Sequence, residues 1–436
     1  MDYFAEYRRK LTTPEDAVAS IPPRGAIGLG IAVAQPPALL RALGARARAG
    51  DVEDLAVYYT YALEPLAESL LVPELLGVIR PRPTYLVAYD RKLIEASGSF
   101  ASVDYVPANL HQLPRLFEES IPLDAFLVSV SPMDRFGYMS LGTCIAYSPA
   151  AARSAKRLIV EVNERMPRTL GDTMLHVSEV DAIVEHTAPL TSFPSRPLSD
   201  VDRKIGEQIA AMIEDGATLQ LGVGGVPDAV TECLSDRKEL GIHTELFTPG
   251  MMRLIQKGVV TGTRKRTFRR KHLFTLAIGD EEFYAFMHDN PGLEGQPCNV
   301  TNDPANIAAN DNVVSINSIL EVDLYGQVNA EFLDHHEFSG IGGQHDFVRG
   351  AYRSRGGKSF LAFHSTAHDG TVSRVVPQLE GVVSDPRMDV HHLVTEHGVV
   401  NLKGRSTRER AELIISIADP KFRDDLEREA KKRQLL

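Results

Sequence analysis

The strongest constraint on what this chain can fold into is that its two halves open in the same way. Near the N-terminus Thr13-Pro14 starts a helix, Gly25 to Gly30 reads as a strand, and Pro36-Pro37 begins a second helix through Leu43. Past residue 200 the order recurs: a helix, a strand over Gly216 to Gly222, a glycine-containing turn, and a helix begun by Pro227. Proline suits a first helical position, where its missing N–H would have found no partner. A repeat of helix, strand, glycine turn and helix predicts two similar open α/β domains, because each apolar strand needs helices to cover it. The segment from His186 to Ser199 holds three prolines, which stiffen the chain and stop a helix from running through it. The expected division is a domain over 1–188, a Pro-rich linker over 189–200 and a second domain over 201–436.

Local patterns fill in the elements. Buried strands are expected over Ala125–Val130 and Leu158–Val162, around Val259-Val260, and over Phe360–Phe363. An amphipathic helix is expected over roughly 201–215, since Ile205, Ile209, Met212 and Ile213 fall on one face. Ser199 with Asp202 three residues on has the form of a capping box, and Gly216 supplies the stop.

Composition narrows the function class. The 436 residues carry 47 Lys+Arg against 58 Asp+Glu, a formal charge of -11, so no global field draws the chain to nucleic acid or anionic membrane. Arg264-Lys265-Arg266 and Arg269-Arg270-Lys271 are the densest basic runs and read as a solvated surface loop. Cys144, Cys233 and Cys298 lie far apart, which fits reduced thiols and a cytoplasmic location. No segment reads as a signal peptide or membrane span.

Three segments can carry chemistry. Gly222-Val223-Gly224-Gly225-Val226-Pro227 sits between strand and helix, where bare amides can face an anion or a developing oxyanion. The same pattern also fits a purely structural turn. Gly342-Gly343-Gln344, within Ser339 to Phe347, offers a second glycine cluster, open to the same two readings. Between them Glu245 emerges from the apolar stretch Gly241–Phe247 and is followed by Thr248-Pro249-Gly250. In open α/β sheets ligands collect at the carboxyl ends of strands, where such turns lie. Competing chemistries fail on spacing. There is no GxSxG elbow, and a Walker A loop would need glycine where Tyr352 stands. The histidine-rich Asp334-His335-His336-Glu337 and His391 to His397 match no zinc motif, so no metal site is expected.

Taken in order, these segments resemble the acetyl-CoA hydrolase/transferase family, and the 4-hydroxybutyrate and butyryl CoA-transferases within it. Val162 to Arg168, Gly137 to Gly142, Asn317 to Val328, Gly398 to Gly404 and Arg410 to Ala418 extend the likeness over nearly the whole chain. The resemblance implies that Glu245 is the nucleophile and that Gly222 to Pro227 binds the CoA thioester. It also implies that Gly342, Gly343 and Gln344, with Asp346 and Phe347, border that site, at the interface of the two domains. The implied activity is transfer of CoA from a short-chain acyl-CoA to a small carboxylic acid (4-hydroxybutyrate, butyrate or itaconate-like) through a glutamyl-CoA thioester. Coenzyme A thioester is then substrate, no prosthetic group is needed, and a homodimer or higher homo-oligomer is expected. The segment Gly28 to Pro36 departs from the butyrate enzymes' version, which leaves the acid substrate open. Two other readings stand beside transfer: an acyl-CoA hydrolase using the same Glu, and a CoA-binding protein without turnover. Arg80 and Arg82 could meet a second carboxylate or be solvated surface residues.

Overall fold

The computed structural model describes residues 2–192 and 197–436. Phe193, Pro194, Ser195 and Arg196, part of the expected linker, lie outside the described residues. The chain forms two compact units, Met1–Pro194 with Leu273–Thr301, and Ser195–His272 with Asn302–Leu436. The stretch 273–301, grouped with the C-terminal half from sequence, thus packs within the first unit. Ile145 N donates to Thr275 O and Gly295 N to Leu170 O, and these bonds hold it there.

In the first unit six strands, β1 (Arg24–Leu29), β2 (Asp54–Tyr59), β3 (Ile79–Pro83), β4 (Ala125–Val130), β5 (Leu158–Val162) and β6 (Ala182–Glu185), form one sheet in the order β3-β2-β1-β4-β5-β6. Every neighbouring pair is parallel. Parallel sheets are covered on both faces, which is why β4 and β5 are mostly apolar and buried at every residue. Leu39, Leu43, Val57, Leu127 and Ile159 share the core between this sheet and the helix Pro37–Arg48. Glu161, a fully buried acid on β5, accepts from Ala38 N at 2.9 Å and Leu39 N at 3.0 Å, capping that helix.

The second unit holds β7 (Thr218–Leu221), β8 (Gly241–Ile242), β9 (Val313–Ser318), β10 (Lys358–Ala362), β11 (His392–Thr395) and β12 (Gly398–Asn401), in the order β8-β7-β9-β10-β11-β12. All pairs are parallel except β11 with β12. Both sheets place their first strand between the second and a later one, so the repeat read from the sequence is a repeat of topology.

The elements differ from expectation at their ends. Ser199 and Asp202 form the expected capping box, with Asp202 N donating to Ser199 Oγ at 3.1 Å. The helix they start covers Asp200–Ala210 rather than running to residue 215. Arg237 donates to Ala210 O at 3.1 Å and Ile213 O at 3.0 Å, which satisfies the carbonyls the early stop leaves free. The helix placed at Pro227 begins at Gly225, since proline lacks only an N–H that the first turn does not use. Val260 makes only an isolated bridge to Leu240.

Candidate active site

Glu245 lies in a bend three residues beyond the carboxyl end of β8, the edge strand of the second sheet. The approach to it is held from below. His243 N donates to Leu219 O at 3.0 Å, and the Lys265 ammonium donates to Ile242 O and Lys271 O, each at 2.7 Å. Lys265, expected in a solvated run, is therefore buried and used to fix the backbone just ahead of Glu245. The flanking arginines do face solvent in ion pairs, Arg264 with Glu239 and Arg266 with Asp311.

Two donors meet the Glu245 carboxyl group. Asn302 Nδ2 donates to Oε2 at 2.8 Å, and the backbone N–H of Gly343 donates to the same group. Gly343 precedes the helix Gln344–Arg353, whose residues Phe347 and Ala351 pack with Val313 and Ile307 in a buried cluster. The fit around Gly343 allows no side chain. A Cβ there would overlap Glu245 Oε2 and Asn302 Nδ2, so glycine is required by proximity rather than by backbone angle. Its neighbour Gly342 sits at φ 54°, in the left-handed region that favours glycine.

This setting changes the acidity of Glu245. Desolvation by the surrounding protein pushes its carboxyl up to about 7, and the nearby Asp346 charge pushes the same way. The bonds from Asn302 and Gly343 favour the anion and limit the rise. The result is a carboxylate that is poorly solvated, fixed in orientation, and able to ionise near neutral pH. Asn302 Oδ1, on the same amide, is buried without a hydrogen-bond partner.

The first glycine turn leaves the neighbouring strand at the same sheet edge. Gly222 N donates to Ile316 O at 2.8 Å, and a side chain at Gly222 would press on Asn317. Gly224 has φ 125°, open only to glycine, and starts the helix Gly225–Glu232 without a side-chain cap. A Cβ on Gly225 would meet the Asp202 carboxylate, Val226 is buried, and Val223 is 61% exposed at the tip. The Gln344 side chain points elsewhere: its Nε2 donates to Asp385 at 2.7 Å. Arg80 and Arg82 belong to the first unit, where Asp54 holds Arg80 at 2.5 Å and the Tyr58 hydroxyl holds Arg82 at 2.6 Å.

Sequence reading missed Asn302 and Lys265. Asn302 is 57 residues from its partner and stands just before the helix Pro304–Ala308, which Asp303 caps. No local pattern marks it. Among the described residues no group of three or more His, Cys, Asp or Glu side chains could hold a metal, and no helix is long and apolar enough to cross a membrane.

Comparison with known proteins settles the family. The acetyl-CoA hydrolase/transferase N-terminal domain profile matches residues 1–193, and the C-terminal domain profile matches 279–430. The chain belongs to the acetyl-CoA hydrolase/transferase family. It is 40% identical to the 4-hydroxybutyrate coenzyme A transferase of Clostridium kluyveri, over 99% of this chain and 100% of that one. It is 39% identical to the succinyl-CoA:cyclohexane-1-carboxylate CoA transferase of Geobacter metallireducens, over 99% and 97%. The crystal structure of RipA from Yersinia pestis superposes with a TM-score of 0.96 at 48% identity, covering all of both chains. The protein is an enzyme, a CoA-transferase.

Proposed function

We propose that the enzyme moves CoA between a short-chain acyl-CoA, such as acetyl- or succinyl-CoA, and a small carboxylic acid of the 4-hydroxybutyrate, butyrate or itaconate kind, with Glu245 as the covalent carrier. The observation that carries this reading is a desolvated carboxyl group held by Asn302 and the Gly343 amide. With Oε2 held, Oε1 attacks the acyl carbon of the donor thioester. The C–S bond breaks, CoA leaves as thiolate, and a mixed anhydride remains on Glu245. The thiolate then attacks the glutamyl carbonyl carbon, expelling the donor's carboxylate and leaving a glutamyl-CoA thioester. The acceptor carboxylate reverses both steps, so no net proton is consumed. Dividing the exchange into covalent halves is nucleophilic catalysis.

In this reading the oxygen held by Asn302 is the one that gains charge when the glutamyl carbonyl is attacked. Preformed donors at such an atom are worth about 3–4 kcal/mol each. Gly222, Val223, Gly224, Gly225 and Val226 receive the CoA thioester end, where the uncapped helix start offers free amides. Gly342, Gly343 and Gln344 border the reacting carboxyl. Poor solvation of Glu245 serves the chemistry twice: it sharpens the nucleophile and keeps water from the anhydride. The three separated cysteines fit a reducing, cytoplasmic setting, and assembly is as a homo-oligomer.

Initial rates with both substrates varied test the reading. Parallel double-reciprocal lines are expected, with loss of exchange in Glu245→Ala. Converging lines, or thioester loss at equal rate without any acceptor acid, would replace it with a ternary-complex transfer or a hydrolase.

A further inference from the structure

The Gly343 amide is useful to Glu245 only if the start of its helix stays where it is, and Gly343 itself has no side chain and no side-chain cap. What holds the first turn is a buried carboxylate from a distant loop. Asp385 is fully buried. Its backbone is clamped to Val328, with Val328 N donating to Asp385 O and Asp385 N to Val328 O, both at 3.1 Å. Its two carboxyl oxygens go to the two residues that follow Gly343: Gln344 Nε2 donates to Oδ2 at 2.7 Å, and His345 Nδ1 lies 3.0 Å from Oδ1. On its other side the His345 ring faces Asp389, which also meets Arg349 one turn along the helix.

We infer that Asp385 is a positioning residue for the reaction: by gripping Gln344 and His345 it fixes the Gly343 amide on the Glu245 carboxyl group. The inference rests on Glu245 being the nucleophile. Because a Cβ at Gly343 would already overlap the Glu245 carboxyl group, the Gly343 backbone and that side chain sit at their closest workable approach. A hydrogen bond at that approach is lost by a shift of well under an ångström in the helix start. Phe347, Val348 and Ala351 anchor the later turns of the helix in the core, and none of them reaches its first turn. The double grip on residues 344 and 345 supplies the hold at that first turn.

The test compares Asp385→Ala, Asp385→Asn and Glu245→Ala in steady-state transfer across pH, with folding checked by circular dichroism. Asp385→Ala is expected to lower kcat/KM about tenfold or more, mainly through kcat, as expected for partial loss of an amide that acts on the reacting group. Losing the Gly343 bond also raises Glu245, so the acidic limb of kcat/KM should move to higher pH by about half a unit. The direction is diagnostic. Removing Asp385 takes an anion from His345, and a limb set by His345 would move to lower pH. Asp385→Asn can still accept from His345 and, with Gln344 turned over, donate to its amide oxygen, so it should recover activity to within about threefold of wild type. Stability loss alone would move neither limb nor kcat. Where Asp385→Ala does not fold, His345→Ala takes its place and should show a smaller shift of the limb in the same direction. A folded variant with unchanged kcat and an unmoved limb overturns the inference while leaving Glu245 in its role. Retained activity in Glu245→Ala would instead remove the reading beneath it.

Discussion

Replacing Glu245 by glutamine should abolish transfer and, at the same time, stabilise the protein in a pH-dependent way. The carboxyl titrates at about 7 in the folded chain against an ordinary 4.5, chiefly because burial disfavours its anion. Between those values the folded state holds the proton more tightly than the unfolded state, so stability falls as pH rises through this window. Above it the ionised side chain costs about 3 kcal/mol, which remaining solvent contact reduces to about 2. Glutamine has no charge to desolvate. Its carbonyl can accept from Asn302. At about 2–4 °C per kcal/mol for a unit of this size, the variant should melt about 5 °C higher than wild type at pH 8. At pH 5 most of that difference should vanish, because wild-type Glu245 is then protonated when folded. Melting curves of both proteins at the two pH values make the comparison, and groups common to both cancel. An equal shift at both pH values, or a glutamine variant less stable at pH 8, refutes the claim that Glu245 is held at the expense of stability.

Further outcomes follow from the same geometry. Gly343→Ala should fold yet lose at least about 100-fold in kcat, since its methyl group displaces the Glu245 carboxyl; near-normal turnover would mean that the carboxyl does not react from this position. His391 and His392 are packed together, and burial lowers them to about 3 and 4 from an ordinary 6.5. The unfolded chain therefore takes up protons first, and stability should fall as pH drops from about 6.5 toward 4. In the double variant His391→Gln, His392→Gln that acid limb of the melting temperature should flatten, and an unchanged limb would place the acid sensitivity elsewhere.

How far the sequence could be read depended on the range of the interactions involved. Strands Ala125–Val130 and Leu158–Val162 were legible to the residue because a parallel strand buried on both faces is a mostly apolar run. The Ser199–Asp202 cap was legible because its two halves are three residues apart. Glu245 stood out as an acid in apolar company, and Gly343 as part of a cluster. What closes the site was not legible. Asn302 is typical of a helix entry, Lys265 looked like one of a charged run, and Asp385 carries no mark of its partnership with residues 344 and 345. Each acts through a contact tens of residues away, where no periodicity reaches. Glu161 is a related case: a charge inside an apolar strand makes sense only once the helix it caps is seen beside it. The helix ends moved for the same reason, since Arg237 supplies from afar the cap that Gly216 was expected to give.

The most direct measurement is to incubate the enzyme with acyl-CoA alone, reduce with borohydride, digest, and weigh the peptide containing residues 241–253. A thioester on Glu245 should be reduced to an alcohol at that side chain, with release of free acid from the donor and no such product in Glu245→Gln. An unmodified Glu245 under conditions of full turnover, or a label on another residue, would contradict the assignment of Glu245 as the carrier of CoA.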